Sequence, residues 1–109
     1  MKNIKVRILK PEYLNRNYLS WLNDKDNQKY TQIKKKNTLI EIKKFYKINK
    51  SKKNKLFGIF YKTKHIGNIN VKYLTNKSCY IGYLLGNKKW KSKGVTSYAV
   101  NLVIKKCFN

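Results

Sequence analysis

Acidic side chains are scarce in this chain of 109 residues: four Asp and Glu stand against 27 Lys and Arg, which gives a formal net charge of +23. The acids are Glu12, Asp24, Asp26 and Glu41. Because no Asp or Glu follows Glu41, paired carboxylates cannot share the acid and base roles in the rest of the chain. The sequence therefore offers no carboxylate base there, and we assign no catalytic residue from it.

Histidine and cysteine are also rare. The single histidine, His65, ends the segment KTKH, which we expect to form an exposed turn with no catalytic role. A Ser-His-Asp set would depend on this one residue, and none can be assigned. Cys79 and Cys107 lack CxxC spacing and have no histidine cluster nearby, so the sequence predicts no metal site.

Long apolar runs are absent, and none approaches the roughly 18–20 residues that span a bilayer. The opening segment MKNIKVRILKPEY carries scattered charges and no apolar signal region. We therefore expect a soluble, cytoplasmic protein without a membrane partner. Hydrophobic residues make up 41% of the chain and aromatic residues 14%, which suits one small domain with an ordered core.

Arginine is rare among the many basic residues, since only Arg7 and Arg16 are present. A lysine-rich surface attracts phosphates, and tyrosines can stack on bases, so a small basic nucleic-acid-binding protein is one alternative. However, readers of nucleic acid favour the arginine fork, and the lysines accompany Asn, Ile and Tyr, which all have AT-rich codons. We expect nucleic acid to bind only through non-specific charge. The same field would concentrate any anionic ligand.

Hydrophobic periodicity in the first half of the chain predicts one strand and several helices. Residues 3–9 alternate and place Ile4, Val6 and Ile8 on one face of a strand. Pro11 favours a helix start, and helical spacing then continues to about residue 22. A short second helix reaching Tyr30 and a polar loop over residues 32–37 would follow. The sequence TLIE at 38–41 forms a capping box that opens another helix, which should end within residues 49–54.

The second half changes to a period of two. Apolar runs at residues 56–61, 66–73 and 79–85 are joined by short turns, which predicts an antiparallel meander. Helical spacing returns after Gly94. The whole pattern predicts an α+β fold in which helices cover a mainly antiparallel sheet.

The connection between the last predicted strand and the last helix is strongly basic, with four lysines between Gly86 and Gly94. A helix N-terminus presents unpaired N–H groups and a partial positive charge, which suits a phosphate. Gly94 would allow a positive φ or a close backbone approach. An ordinary strand-to-helix loop could use the same residues, so both interpretations remain open on physical grounds.

The segment IGYLLGNKKWKSKGVTSYAV, residues 81–100, resembles motif A of the GCN5-related N-acetyltransferase (GNAT) superfamily. In that motif a pyrophosphate loop of the form Q/R-x-x-G-x-G/A opens a helix. Residues 91–96 occupy the six positions and Gly94 keeps the central glycine. Lys91 stands in place of Gln or Arg, and Thr96 in place of the small residue.

Other segments resemble the RimJ/RimL-like branch in the same order along the chain. They are VRIL at 6–9 before EYL at 12–14, WLND at 21–24 before KYT at 29–31, and FGIF at 57–60 before HIGNI at 65–69. Lys25 and Asp26 replace the Pro and acidic residue expected after WLND.

The resemblance implies direct acetyl transfer from acetyl-CoA to a primary amine, either of a nucleotide-linked amino sugar or of a protein N-terminus. The implied cofactor-binding residues are Tyr83, Leu84, Leu85, Lys91, Ser92, Lys93, Gly94, Val95 and Thr96. The implied acceptor-binding residues are Trp21, Asn23, Asp24 and Tyr30. Taken without the resemblance, Trp21 and Tyr30 suit a hydrophobic core, and Asn23 with Asp24 suits a helix cap.

Complete domains of this superfamily continue with at least one more strand and helix. We therefore expect residues 1–109 to form a single, incomplete domain that lacks its C-terminal strand and helix, with impaired catalysis. The strand at residues 79–85 would then keep an uncovered edge, which favours association of two copies.

Overall fold

The computed structural model describes residues 2–24, 38–49, 53–86, 88–91 and 93–108. These residues form four strands and three α-helices. In chain order the elements are β1 (Ile4–Ile8), α1 (Arg16–Asn23), α2 (Leu39–Ile48), β2 (Asn54–Tyr61), β3 (Lys64–Tyr73), β4 (Cys79–Leu85) and α3 (Val95–Phe108). Short 3-10 turns lie at Pro11–Tyr13 and Lys88–Trp90. The predicted α+β class is confirmed.

The four described strands form one sheet in the order β1-β2-β3-β4. Every neighbouring pair is antiparallel. The last three strands make the predicted meander, and β1 pairs with β2 along its whole length. Among the described strands, β4 therefore lies at an edge and pairs on one side only.

One face of the sheet packs against α3. The buried side chains of this layer are Ile4, Val6, Phe57, Ile59, Ile66, Ile69, Val71, Leu85, Val95, Ala99 and Val103. The predicted strand face is correct for Ile4 and Val6 and wrong for Ile8, which is 53% exposed. Leu9 is buried instead in the opposite layer, because the chain passes from one core to the other at this point.

The opposite face carries α1 and α2. Its core consists of Leu9, Tyr18, Trp21, Ile42, Tyr46, Leu56 and Phe60. The Tyr46 hydroxyl donates a hydrogen bond of 2.9 Å to the Leu9 carbonyl. This contact ties α2 to the end of β1.

An asparagine cap sets where α1 begins, and a threonine cap sets where α2 begins. The helix predicted from Pro11 is interrupted, because Asn15 adopts an extended backbone and its Oδ1 accepts the Tyr18 N–H at 3.2 Å, so that α1 begins at Arg16. For α2, the Glu41 N–H donates to Thr38 Oγ1 at 3.3 Å, as the capping box predicts. The short helix reaching Tyr30 and the loop over residues 32–37 lie outside the described residues.

Candidate functional site

Gly94 has a positive φ of 75°, which is one of the two uses that the sequence suggests for a glycine at this position. Its carbonyl accepts the Tyr98 N–H at 3.1 Å, which makes it the residue from which α3 starts. A left-handed backbone costs a side-chain-bearing residue about 1–2 kcal/mol, so glycine is the natural choice here. Gly94 and Lys93 are both exposed, which leaves the turn open to a ligand.

The first amides of α3 are available at this turn. The N–H groups of Val95, Thr96 and Ser97 donate no hydrogen bond to any acceptor in the described part of the chain. The first N–H groups of a helix have no partner within the helix, and they carry its partial positive charge. These amides and the exposed ammonium of Lys93 can together bind a diphosphate.

Trp90 fixes the loop that leads to this turn. Its ring packs against Tyr61 with 4.8 Å between centroids, and the Lys89 ammonium lies 5.1 Å from the centre of the Trp90 ring. Lys91 is half-buried. Ser92, which the resemblance also assigns to the pyrophosphate loop, lies outside the described residues.

Main-chain groups of β4 face its open edge. The Gly86 N–H donates to the Ile66 carbonyl at 2.7 Å and so points toward β3. Because main-chain groups alternate along a strand, those of Tyr83 and Leu85 point away from β3. The Tyr83 side chain is 62% exposed, whereas Leu84 packs into the α1-side core. An extended ligand could therefore pair with the edge of β4.

The three described residues of the expected acceptor site lie in the last turn of α1 and at its C-cap. Trp21 is buried in the core, and its ring lies over Gly86, where an added Cβ would collide with Trp21 Cε2. Asp24 is the exposed C-cap of α1, with Asn23 half-buried before it. Tyr30 lies outside the described residues. Trp21 is thus placed next to the end of β4.

His65 is buried, so the expectation of an exposed turn histidine is wrong. It is 7% exposed and belongs to β3. Gly67 pairs with Ile59 and His65 pairs with Phe60, so Ile66 is an extra residue in a β-bulge. The bulge turns His65 toward α1, where the Trp21 ring lies 4.8 Å away between centroids.

A polar pair forms inside this aromatic layer. His65 Nε2 lies 2.7 Å from Asn68 Oδ1. Because an amide oxygen only accepts, Nε2 carries the proton. Burial lowers the pKa of His65 below its usual value, against the opposing effect of the Asn68 hydrogen bond. The imidazole is therefore neutral at pH 7.

The other end of the Asn68 amide points into the same layer without a hydrogen bond. Its Nδ2 is buried and has no partner among the described residues. Burial raises the pKa of Tyr18 to about 12, and the nearby Asn68 acts weakly in the opposite sense. Sequence reasoning missed this cluster, because an asparagine between Gly67 and Ile69 gives no sign that a bulge will change the face on which His65 lies.

Within the described residues, none of the helices combines the length and apolar character needed to cross a membrane. The same part of the chain contains no group of three or more His, Cys, Asp or Glu side chains that could hold a metal ion.

A family model described as "Acetyltransferase (GNAT) domain" matches residues 3–109. The chain belongs to this family. The match includes the Gly94 turn, the β4 edge and the bulged strand β3. No curated protein sequence matches the chain.

Solved acetyltransferase structures share the fold of this GNAT domain. Spermidine N-acetyltransferase from Vibrio cholerae, solved with CoA and spermine, superposes with a TM-score of 0.81 at 14% identity, over 99% of this chain and 65% of that one. The acetyltransferase of Salmonella typhimurium that modifies the N-terminal serine of ribosomal protein L7/L12 gives 0.77 at 18% identity, over 97% and 64%.

A third structure, the microcin C7 self-immunity acetyltransferase in complex with acetyl-CoA and AMP, gives a TM-score of 0.76 at 25% identity, over 97% of this chain and 63% of that one. The GNAT chain thus spans less than two thirds of each of these structures.

Proposed function

We propose that this GNAT chain is part of a cytoplasmic, acetyl-CoA-dependent N-acetyltransferase that acts on a primary amine. The observation that carries the proposal is the Gly94 turn, at the motif that resembles a pyrophosphate loop. A positive φ and an exposed lysine coincide there with helix amides that have no acceptor in the described part of the chain. The family match over residues 3–109 supports it.

Two groups of residues would hold acetyl-CoA. The amides of residues 92–96, with Lys91 and Lys93, would bind the pyrophosphate. The main-chain groups of Tyr83 and Leu85, on either side of Leu84, would pair with the pantetheine arm. Bound acetyl-CoA would supply an acetyl group activated as a thioester. The amine nitrogen would bond to the acetyl carbonyl carbon as the C–S bond breaks, and CoA would leave as the thiol with the proton that the amine gives up. An N–H at the β4 edge can stabilise negative charge on the carbonyl oxygen.

The acceptor would bind on the α1 side of β4, near Trp21, Asn23, Asp24 and Tyr30. Its chemical class is a primary amine on a nucleotide-linked amino sugar or at a protein N-terminus. Since the chain spans less than two thirds of these structural relatives, we also propose that residues 1–109 form an incomplete domain. The open edge of β4 would then take a further strand or a second copy of the chain.

The pyrophosphate assignment can be tested by measuring the acetyl-CoA dissociation constant by calorimetry for the wild type and for Lys93→Ala. A single exposed charge contributes up to about 1 kcal/mol, so we expect affinity to fall about 2–5-fold. Lys44→Ala is the matched control, because it removes the same charge from an exposed position on α2.

Equal loss of affinity in Lys93→Ala and Lys44→Ala would show that only overall charge matters. Absence of acetyl-CoA binding by the wild type would refute the proposed function for this chain. Binding of acetyl-CoA but not of free pantetheine would support the pyrophosphate turn as the main anchor.

A further inference from the structure

Four described residues form a continuous path from the interior of the sheet to the end of β4. Asn68 Oδ1 accepts the proton on His65 Nε2 at 2.7 Å. The His65 ring packs on Trp21, with 4.8 Å between centroids. The Trp21 ring covers Gly86 so closely that no side chain fits there.

Gly86 directly follows β4 and begins the connection to the Gly94 turn. We call this connection, residues 86–94, the cofactor loop. The Gly86 N–H also donates a hydrogen bond to the carbonyl of Ile66, the extra residue of the bulge. This bond holds the Gly86 backbone on its β3 side. His65 and Ile66 are adjacent in sequence. The bulge thus supports Gly86 twice, through the Ile66 carbonyl and through the His65 and Trp21 rings.

The chemistry of the pair indicates a role other than stability. Burying an imidazole and an amide costs free energy unless all their polar atoms are bonded, and Asn68 Nδ2 has no partner within the described chain. Two apolar side chains of similar shape would fill the space at lower cost. The hydrogen bond to Asn68 fixes one orientation of the His65 ring, which apolar packing alone does not do.

We propose that His65 and Asn68 are positioning residues that act through Trp21 to hold Gly86, and with it the exit of β4 into the cofactor loop, in one conformation. The proposal rests on the proposed function only in taking this loop to bind acetyl-CoA. None of the four residues needs to touch the acceptor or the acetyl group.

The first test needs no ligand. Hydrogen exchange of the Gly86 amide would be measured in the wild type, in His65→Phe and in Asn68→Ala. Losing a buried hydrogen bond and leaving its partner unpaired should speed Gly86 exchange about tenfold in both variants. Tyr46→Phe is the matched control, since it removes a buried hydrogen bond from the same core but at the Leu9 end of the sheet.

The double variant His65→Phe with Asn68→Leu separates positioning from packing. Replacing both partners by apolar groups leaves no unpaired atom, so stability should recover toward the wild-type level. If the pair positions Gly86, fast Gly86 exchange persists in the double variant, and its acetyl-CoA affinity stays several-fold below that of the wild type. If the pair only packs, exchange and affinity both recover with stability, and the proposal is wrong.

Two further results would overturn the proposal: unchanged Gly86 exchange in both single variants, or equal acceleration in Tyr46→Phe. A wild type that does not bind acetyl-CoA would refute the proposed function, while the exchange experiment would still decide whether His65 and Asn68 position Gly86.

Discussion

At the scale of the residue, His65 is the one histidine in the sequence, and it is buried, with 7% of its surface exposed. Four aromatic rings surround it, those of Tyr13, Tyr18, Trp21 and Phe60. Burial in this layer favours the neutral form and lowers the pKa of the imidazole. The unfolded chain therefore binds a proton there at a higher pH than the folded chain does.

The lowered pKa of His65 makes stability depend on pH. Because the unfolded state takes up the proton first, the free energy of unfolding should fall as pH drops below about 6.5, the ordinary value for histidine. Since this fall begins near the ordinary histidine value, it is measured best between about pH 5 and 7. Denaturant unfolding at several pH values across this window measures the slope.

His65→Phe should flatten this slope whatever its effect on overall stability, whereas Tyr46→Phe should keep it. Parallel slopes in the wild type and His65→Phe would contradict a lowered pKa at His65.

At the scale of the element, the Asn15 cap sets where α1 begins. Pro11 and Glu12 are suited to a helix start, yet they form only a 3-10 turn, and Asn15 provides the cap of α1. Pro11 and Asn15 are each suited to begin a helix, and the sequence alone does not show which of them does so. For α2 one strong capping box is present, and the predicted start is correct.

The cap of α1 predicts a measurable loss. Asn15→Ala removes the acceptor for the Tyr18 N–H and should lower the free energy of unfolding by about 1 kcal/mol. Asn17→Ala, an exposed position inside the same helix, should change stability by no more than about 0.5 kcal/mol. Equal losses in the two variants, measured by urea unfolding, would show that Asn15 does not cap the helix.

At the scale of the whole molecule, binding through the net charge of +23 and binding at the proposed acetyl-CoA site should depend differently on salt concentration. Binding of RNA through scattered lysines should weaken about 10³–10⁵-fold between about 50 and 200 mM salt if six to ten phosphates are contacted. Acetyl-CoA carries few phosphates and would be held partly by main-chain groups of β4 and α3. Its affinity should fall much less over the same range.

Fluorescence titrations with a short RNA and with acetyl-CoA at two salt concentrations check this difference. Tight RNA binding that survives 200 mM salt would favour the nucleic-acid-binding alternative over non-specific charge.

Much of the architecture could be predicted from the sequence, because alternation in the strands and helical spacing in α3 are local properties that the fold preserves. For Gly94 the sequence suggests either a positive φ or a close backbone approach, and only the structure shows the positive φ of 75°. The environment of His65 could not be predicted. It depends on a bulge that only pairing between β2 and β3 defines, and on rings contributed by α1 and by the 3-10 turn before it.

The extra residue in β3 also determines what a shorter hairpin would lose. Removing Ile66 would restore an unbroken ladder between β2 and β3 in which His65 still pairs with Phe60 and Lys64 with Tyr61, so both residues would keep their sides of the sheet. The α3-side core would lose the buried Ile66 side chain, and Gly86 would lose the carbonyl that accepts its N–H. A hairpin shortened by one residue would therefore keep its faces and yet leave the end of β4 without its bond to Ile66.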